Sequence, residues 1–127
     1  MTREQVIYQY FQAWLDQDRR VFDTIFTNDL YYSECYGPEY HGLKEVEQWF
    51  DDWQRHGRVL QWNILSIYQD DNHMIAEWYF QCIFDEKLDG FNGVSLVEFT
   101  DQNQICSIKE FQSKSEHFDP YQELQHG

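Results

Sequence analysis

Carboxylates set among aromatic residues are the groups of this 127-residue chain that could do chemistry. Glu34 stands in Tyr31-Tyr32-Ser33-Glu34-Cys35-Tyr36, a run otherwise suited to a pleated apolar surface. A buried carboxylate is costly unless it is paired or protonated. Two readings follow. Either Glu34 points outward from an edge strand, or it lies in a pocket, where a raised pKa lets it move a proton near neutral pH. Glu77 and Glu110 also fall in extended runs. Glu77 shares parity with Ile75 and Tyr79, so it is expected to face solvent or a partner. Glu110 shares parity with Ile108 and Gln112 and is read either as facing inward or as pairing with Lys109 or Lys114. Inward, it would form an acid–base couple with Glu34, because neighbouring carboxylates split their pKa values. Tyr10 is either a core tyrosine with a satisfied hydroxyl or a pocket residue. Trp14, Trp49, Trp53, Trp62, Trp78 and Phe80 are read as core, as pocket wall, or as both, with Trp62 and Trp78 the foremost wall residues.

Other chemistries find no support. The histidines, at 41, 56, 73, 117 and 126, have no metal-ligand spacing, and Glu116, His117 and Asp119 read as a solvated tail, so no metal is expected. There is no phosphate-cradling glycine loop and no nucleophile elbow. Cys35, Cys82 and Cys106 are odd in number and widely spaced, which fits reduced, partly buried thiols rather than a disulfide or a thiol nucleophile. The net charge of −14 argues against nucleic acids and anionic membranes as partners. The N-terminus interrupts its apolar residues with polar ones, unlike a signal peptide, and no apolar run is long enough to span a bilayer. A cytoplasmic location is therefore expected.

Elements to carry these residues can be read from periodicity. Thr2 and Gln5 form a capping-box pattern before a helix over about 3–16. Asp18 is expected to cap a shorter helix carrying Val21, Phe22, Ile25 and Phe26, stopped by Asn28-Asp29. A short strand over 30–36 is broken by Gly37-Pro38, and a third helix is expected over about 43–55. Four long strands follow, over 58–69, 73–84, 88–100 and 104–114, joined by short polar turns as antiparallel hairpins. Gly90 and Gly93 suggest a bulge or bend. In the second long strand Ala76, Trp78, Phe80, Cys82 and Phe84 point one way, and Ile75, Tyr79 and Ile83 the other. Both faces thus look apolar, and a homodimer through the sheet is expected.

This order of elements, with Trp14 and Asp18 closing the first helix pair, Phe26-Thr27-Asn28-Asp29, Gly42, Glu77-Trp78, Gly93 to Phe99 and Ile105 to Phe111, resembles the NTF2-like superfamily, in its SnoaL-like and ketosteroid-isomerase-like branch. The resemblance covers residue 3 to about residue 115. It implies an α+β cone in a single domain over 1–127, with three N-terminal helices packed on a curved, mostly antiparallel sheet. By the same resemblance Tyr10 falls where the isomerases place an oxyanion-stabilising tyrosine, and Glu34 where they place the carboxylate base. Their second oxyanion donor, a protonated aspartic acid, aligns with Val97, which cannot donate. Ser95 is the donor left on that face. Steroid isomerase activity is therefore not expected, and the Asp-Arg-Asp set of the limonene-epoxide-hydrolase branch is not recognisable.

The expected protein is a cofactor-free acid–base enzyme for a small apolar carbonyl compound. Glu34 and Tyr10 would be catalytic, and Trp14, Trp53, Trp62, Trp78, Phe80, Ser95, Val97 and Glu110 would shape the pocket. The alternatives are a binding or dimerisation module with the same cone, and a cone filled by its own aromatic residues.

Overall fold

Helix α1 (Arg3–Asp16) begins where its sequence places the cap. The Gln5 N–H donates to Thr2 Oγ1 at 3.1 Å, and the Thr2 N–H donates back to Gln5 Oε1 at 2.9 Å. Its buried face is Val6, Ile7, Tyr10, Phe11, Ala13 and Trp14. This is the computed structural model of the chain, and it describes residues 1–122. The last residues of the expected domain, 123–127 with His126, lie outside the described residues.

Helix α2 (Phe22–Ile25) is a single turn capped by Val21. Asp18 does not cap it, because its carboxylate is taken by Arg20, whose guanidinium and backbone N–H both donate to it. Asn28-Asp29 does not end an element either. Strand β1 (Phe26–Ser33) starts at Phe26 and runs through both residues, buried at Phe26, Leu30 and Tyr32. Asn28 and Asp29 fall in a break of the β1–β6 pairing, where the register shifts between Phe26 and Tyr31. At Gly37, whose φ is +111°, the chain turns back into β2 (Glu39–His41), a short strand the sequence did not disclose. Helix α3 (Leu43–Gln54) follows Gly42, at φ +90°, and buries Leu43, Val46 and Phe50.

Strands β3 (Gly57–Asp70), β4 (His73–Phe84), β5 (Lys87–Phe99) and β6 (Ile105–Lys114) complete a six-stranded sheet of order β2-β1-β6-β5-β4-β3. Each long strand pairs antiparallel with the next, but β1 runs parallel to β6, so the sheet is mixed. Gly90 and Gly93 sit in an unbroken β4–β5 ladder, and the register shifts fall instead in β3, between Phe26 and Tyr31 of β1, and at Glu98/Phe99 of β5. Gly93 is there for clearance: a Cβ would lie 2.3 Å from the Phe111 carbonyl oxygen and 2.4 Å from the Trp78 ring.

The inner face of β4 buries Ala76, Trp78, Phe80 and Cys82 against the helices, while Phe84 at its end is partly exposed. On the outer face Ile75 and Ile83 are partly exposed, with Leu65, Tyr68 and Phe111 more so. Arg3 ties the start of α1 to the far strand ends, donating to Asn72 Oδ1, Asn103 Oδ1 and the Asp71 and Thr100 carbonyls. Among the described residues no helix is long and apolar enough to cross a membrane.

Candidate functional site

The inner face of the sheet and helices α1 and α3 leave one aromatic cavity. Its lining includes Trp14, Trp49, Trp53, Trp62 and Trp78, which are all the tryptophans of the chain. Phe80, Phe91, Cys35 and Tyr36 join them, and among the described residues the only charged ones in the lining are Glu34 and Glu110. The rings brace one another: Trp62 meets Trp78 edge to face at 5.7 Å, and Trp14 meets Trp53 at 5.3 Å. The free volume inside is about 40 Å³. That holds roughly three water molecules or a group of similar size. Glu34, Tyr36, Trp49 and Trp53 also line an outer basin of about 670 Å³, so these residues form the neck between basin and cavity.

Glu110 is placed by β6. It stands opposite Ser95 of β5 and is 8% exposed. It does not pair with Lys109 or Lys114. Its neighbours are hydroxyls: Ser95 Oγ donates to Oε2 at 3.1 Å, and the Tyr32 hydroxyl of β1 faces the same carboxyl and lowers its pKa. Each hydroxyl is itself oriented from behind. The Trp78 indole N–H can only donate, and it donates to Ser95 Oγ at 2.9 Å. The Tyr10 hydroxyl donates to the Tyr32 hydroxyl at 2.5 Å. With their acceptor sides occupied, both hydroxyls turn their hydrogens to Glu110. Burial nevertheless dominates. It pushes the Glu110 carboxyl from 4.5 up to about 8, with the Glu34 charge adding to it and the two hydroxyl donors opposing it.

Glu34 comes from the turn after β1 rather than from the strand. Its backbone is fixed by its own N–H to the Pro38 carbonyl at 3.0 Å and by the Gly37 N–H to its carbonyl at 3.2 Å. Its side chain is 9% exposed and accepts from the Tyr40 hydroxyl of β2 at 2.8 Å. Burial raises its pKa, and the Tyr40 hydrogen bond works against that rise. The Cys35 thiol beside it is pushed up to about 12 by burial and by both carboxylates, which disfavours the thiolate.

Of the residues expected at a site, Glu34, Glu110, Trp14, Trp53, Trp62, Trp78 and Phe80 meet around this cavity. Tyr10 does not reach it. Its ring packs behind the wall against Phe11, Phe22, Phe26 and Trp62, and its hydroxyl is committed to Tyr32, so it cannot stabilise an oxyanion in the cavity. Ser95 also lies behind the wall, supporting Glu110, and Val97 is buried opposite Met74 and Ile108 in the core. Glu77 faces outward and accepts from Ser66 Oγ at 2.7 Å. Sequence reasoning missed Tyr32, Tyr40 and Phe91. Tyr32 lies two places before Glu34 in the same aromatic run, which was a usable signal. Tyr40 required β2, whose three residues carry none. Among the described residues no group of three or more His, Cys, Asp or Glu comes together as a metal site.

Comparison with known proteins places this geometry in a family. No curated protein matches the chain. Its fold is similar to that of a hypothetical protein of Catenulispora acidiphila with a ketosteroid isomerase-like fold, solved in complex with trimethylamine, at a TM-score of 0.76 and 17% identity over 88% of each chain. It is also similar to an LEH-like epoxide hydrolase of M. tuberculosis, at a TM-score of 0.77 and 15% identity, covering 87% of this chain and 82% of that one. A protein of Xanthomonas campestris proposed to be a polyketide cyclase matches 96% of this chain and 93% of its own, with a TM-score of 0.75 and 13% identity. The SnoaL-like domain model matches residues 7–108, and the chain therefore belongs to the SnoaL-like family, with the α+β fold of the NTF2-like superfamily.

Proposed function

We propose that the chain is a cofactor-free acid–base enzyme that moves a proton on a small carbonyl compound held in the tryptophan-lined cavity. The observation that carries this is the pair of carboxyls, Glu34 and Glu110, as the only charged groups among the described residues that line one aromatic cavity. Their environments push them to different roles. Glu34 sits at the neck, where burial raises its pKa and the Tyr40 hydroxyl opposes that rise, and it takes the proton from carbon beside the carbonyl. Glu110 lies on the floor and holds its proton below about pH 8. Because Ser95 and Tyr32 donate to its oxygens, its own O–H is left for the substrate oxygen. Donation there stabilises the developing enolate, and the proton then returns to a different atom. An isomerisation, cyclisation, dehydration or hydration would follow from where it returns. Each well-placed acid or base is worth roughly 10²–10⁴-fold in rate.

In this reading α1, α2 and α3 roof a cone whose wall is the sheet, and the outer sheet face joins two copies. The exposed Leu65, Tyr68, Ile75, Ile83 and Phe111 support that interface. Three free cysteines support a reducing, cytoplasmic setting. A second reading, a binding cavity without turnover, is favoured by the small inner volume and by the engagement of Tyr10 with Tyr32.

The test is a panel of small carbonyl compounds assayed with wild type, Glu110→Gln and Glu34→Gln. Loss of about 100-fold or more in kcat/KM in both variants is expected. Turnover that survives both substitutions refutes the mechanism, and no turnover of any compound by the wild type favours the binding module.

A further inference from the structure

The neck holds aromatic residues that the proton transfer does not use. Four residues line both the cavity and the basin: Tyr36, Trp49, Trp53 and Glu34. Three are aromatic and the fourth is a carboxylate. Trp49 is braced by Tyr40, stacked on it at 4.7 Å with 19° between the planes, and Trp53 is held edge-on by Trp14. The rings are thus fixed in place rather than free to collapse onto a guest. Glu34 is braced by the same Tyr40, through its hydroxyl.

We infer that this neck is a cage for an alkylated ammonium group, so that the substrate is a carbonyl compound that also carries a small organic cation. An aromatic face attracts a cation through its quadrupole, most strongly for tryptophan, and more so where water is excluded. A carboxylate at the same place supplies the counter-charge. Among the described residues no Lys, Arg or His lines the inner cavity beside Glu34 and Glu110. The groups facing the neck from the basin are Asp52, His56, Lys87 and Asp89, which leave the outer approach without a positive excess. The chain as a whole carries −14, which draws cations toward it. With the head group at the neck, open to the basin of about 670 Å³, the inner free space of about 40 Å³ is left for the carbonyl end. The arrangement also serves the chemistry already proposed: a cation beside the carbonyl makes the neighbouring C–H more acidic, and Glu34 is the base at that point.

The inference rests on the reading of this cavity as the working site, but its test does not require turnover. Tetramethylammonium chloride and the uncharged tert-butanol are titrated against the protein at low ionic strength and neutral pH, with matched sodium chloride as control. Tryptophan fluorescence and the ring-current shift of the methyl protons report binding, since every tryptophan lines the cavity. The cation is expected to bind about tenfold or more tighter than the alcohol. Glu34→Gln and Trp53→Leu should each remove most of that preference, and two variants guard against a folding defect in either. Equal or tighter binding of tert-butanol, no binding of either probe, or an unchanged preference in both variants overturns the cage. Carbonyl turnover that persists alongside such a result would leave the acid–base reading standing and remove only the cation.

Discussion

Replacing Glu110 with Gln should flatten the pH dependence of stability between about pH 4.5 and 8. In the folded chain Glu110 holds its proton up to about 8, against an ordinary value of 4.5. Between those values the folded state keeps a proton that the unfolded chain has released. Stability therefore falls as pH rises through this window: the contribution is fully present below about 4.5 and lost above about 8. The difference corresponds to about 5 kcal/mol, from roughly 1.4 kcal/mol for each tenfold change in proton affinity. For a chain of this length that is roughly 15–20 °C in Tm. Glu34, also raised by burial, acts in the same direction at the lower end of the window.

The groups facing Glu110 are Glu34 and Cys35 beyond β1, Tyr32 on β1, Ser95 on β5 and, through Tyr32, Tyr10 on α1. All of them remain in the variant, so the wild type minus variant difference isolates the one carboxyl. Thermal or urea unfolding of both proteins from pH 5 to pH 9 gives that difference directly. Glu110→Gln should gain on the wild type by several kcal/mol across the range. Parallel curves for the two proteins would refute the buried, protonated carboxyl, and with it the acid assigned to the cavity floor.

Tyr10→Phe keeps the ring contacts but removes the donor to Tyr32, and should cost about 1 kcal/mol in urea unfolding. It also frees the Tyr32 hydroxyl to turn away from Glu110, so the midpoint of the same pH–stability curve should move upward. Gly93→Ala would drive a methyl against both the Phe111 carbonyl and the Trp78 ring, and should cost about 1–3 kcal/mol, with altered tryptophan fluorescence as Trp78 is displaced.

The long strands and helices were legible because their signals are local. Alternation within β4 sorted Trp78 and Phe80 inward, and the Thr2–Gln5 pair marked the start of α1. The errors arose where distant pairing overrode a local preference. Asn28-Asp29 reads as a turn, but β6 pairs with β1 on either side of it and leaves only a register shift between Phe26 and Tyr31, and β2 exists only because Gly37 folds residues 39–41 back onto 31–33. Tyr10 failed for a related reason. Its place on the helix stripe shows that it points inward, but the layer it reaches depends on Tyr32 standing between it and the cavity.

Glu110 was the informative ambiguity. Parity put it on the inner face, and its charge argued for the outer one. Its neighbour presented the reverse conflict: Phe111 belongs inside by composition, yet it is largely exposed while Glu110 is buried. A slip of one residue in β6 would exchange them and relieve both costs. The register is instead held by Ile108, which shares the face of Glu110 and is buried in the core. The protein keeps an arrangement its local energetics oppose, and sets Ser95, Tyr32, Trp78 and Tyr10 around the displaced carboxyl to support it. Violations of this kind concentrate where function demands them. A glutamate inside and a phenylalanine outside on adjacent positions are therefore a physical argument for the cavity floor as the place of the proposed chemistry.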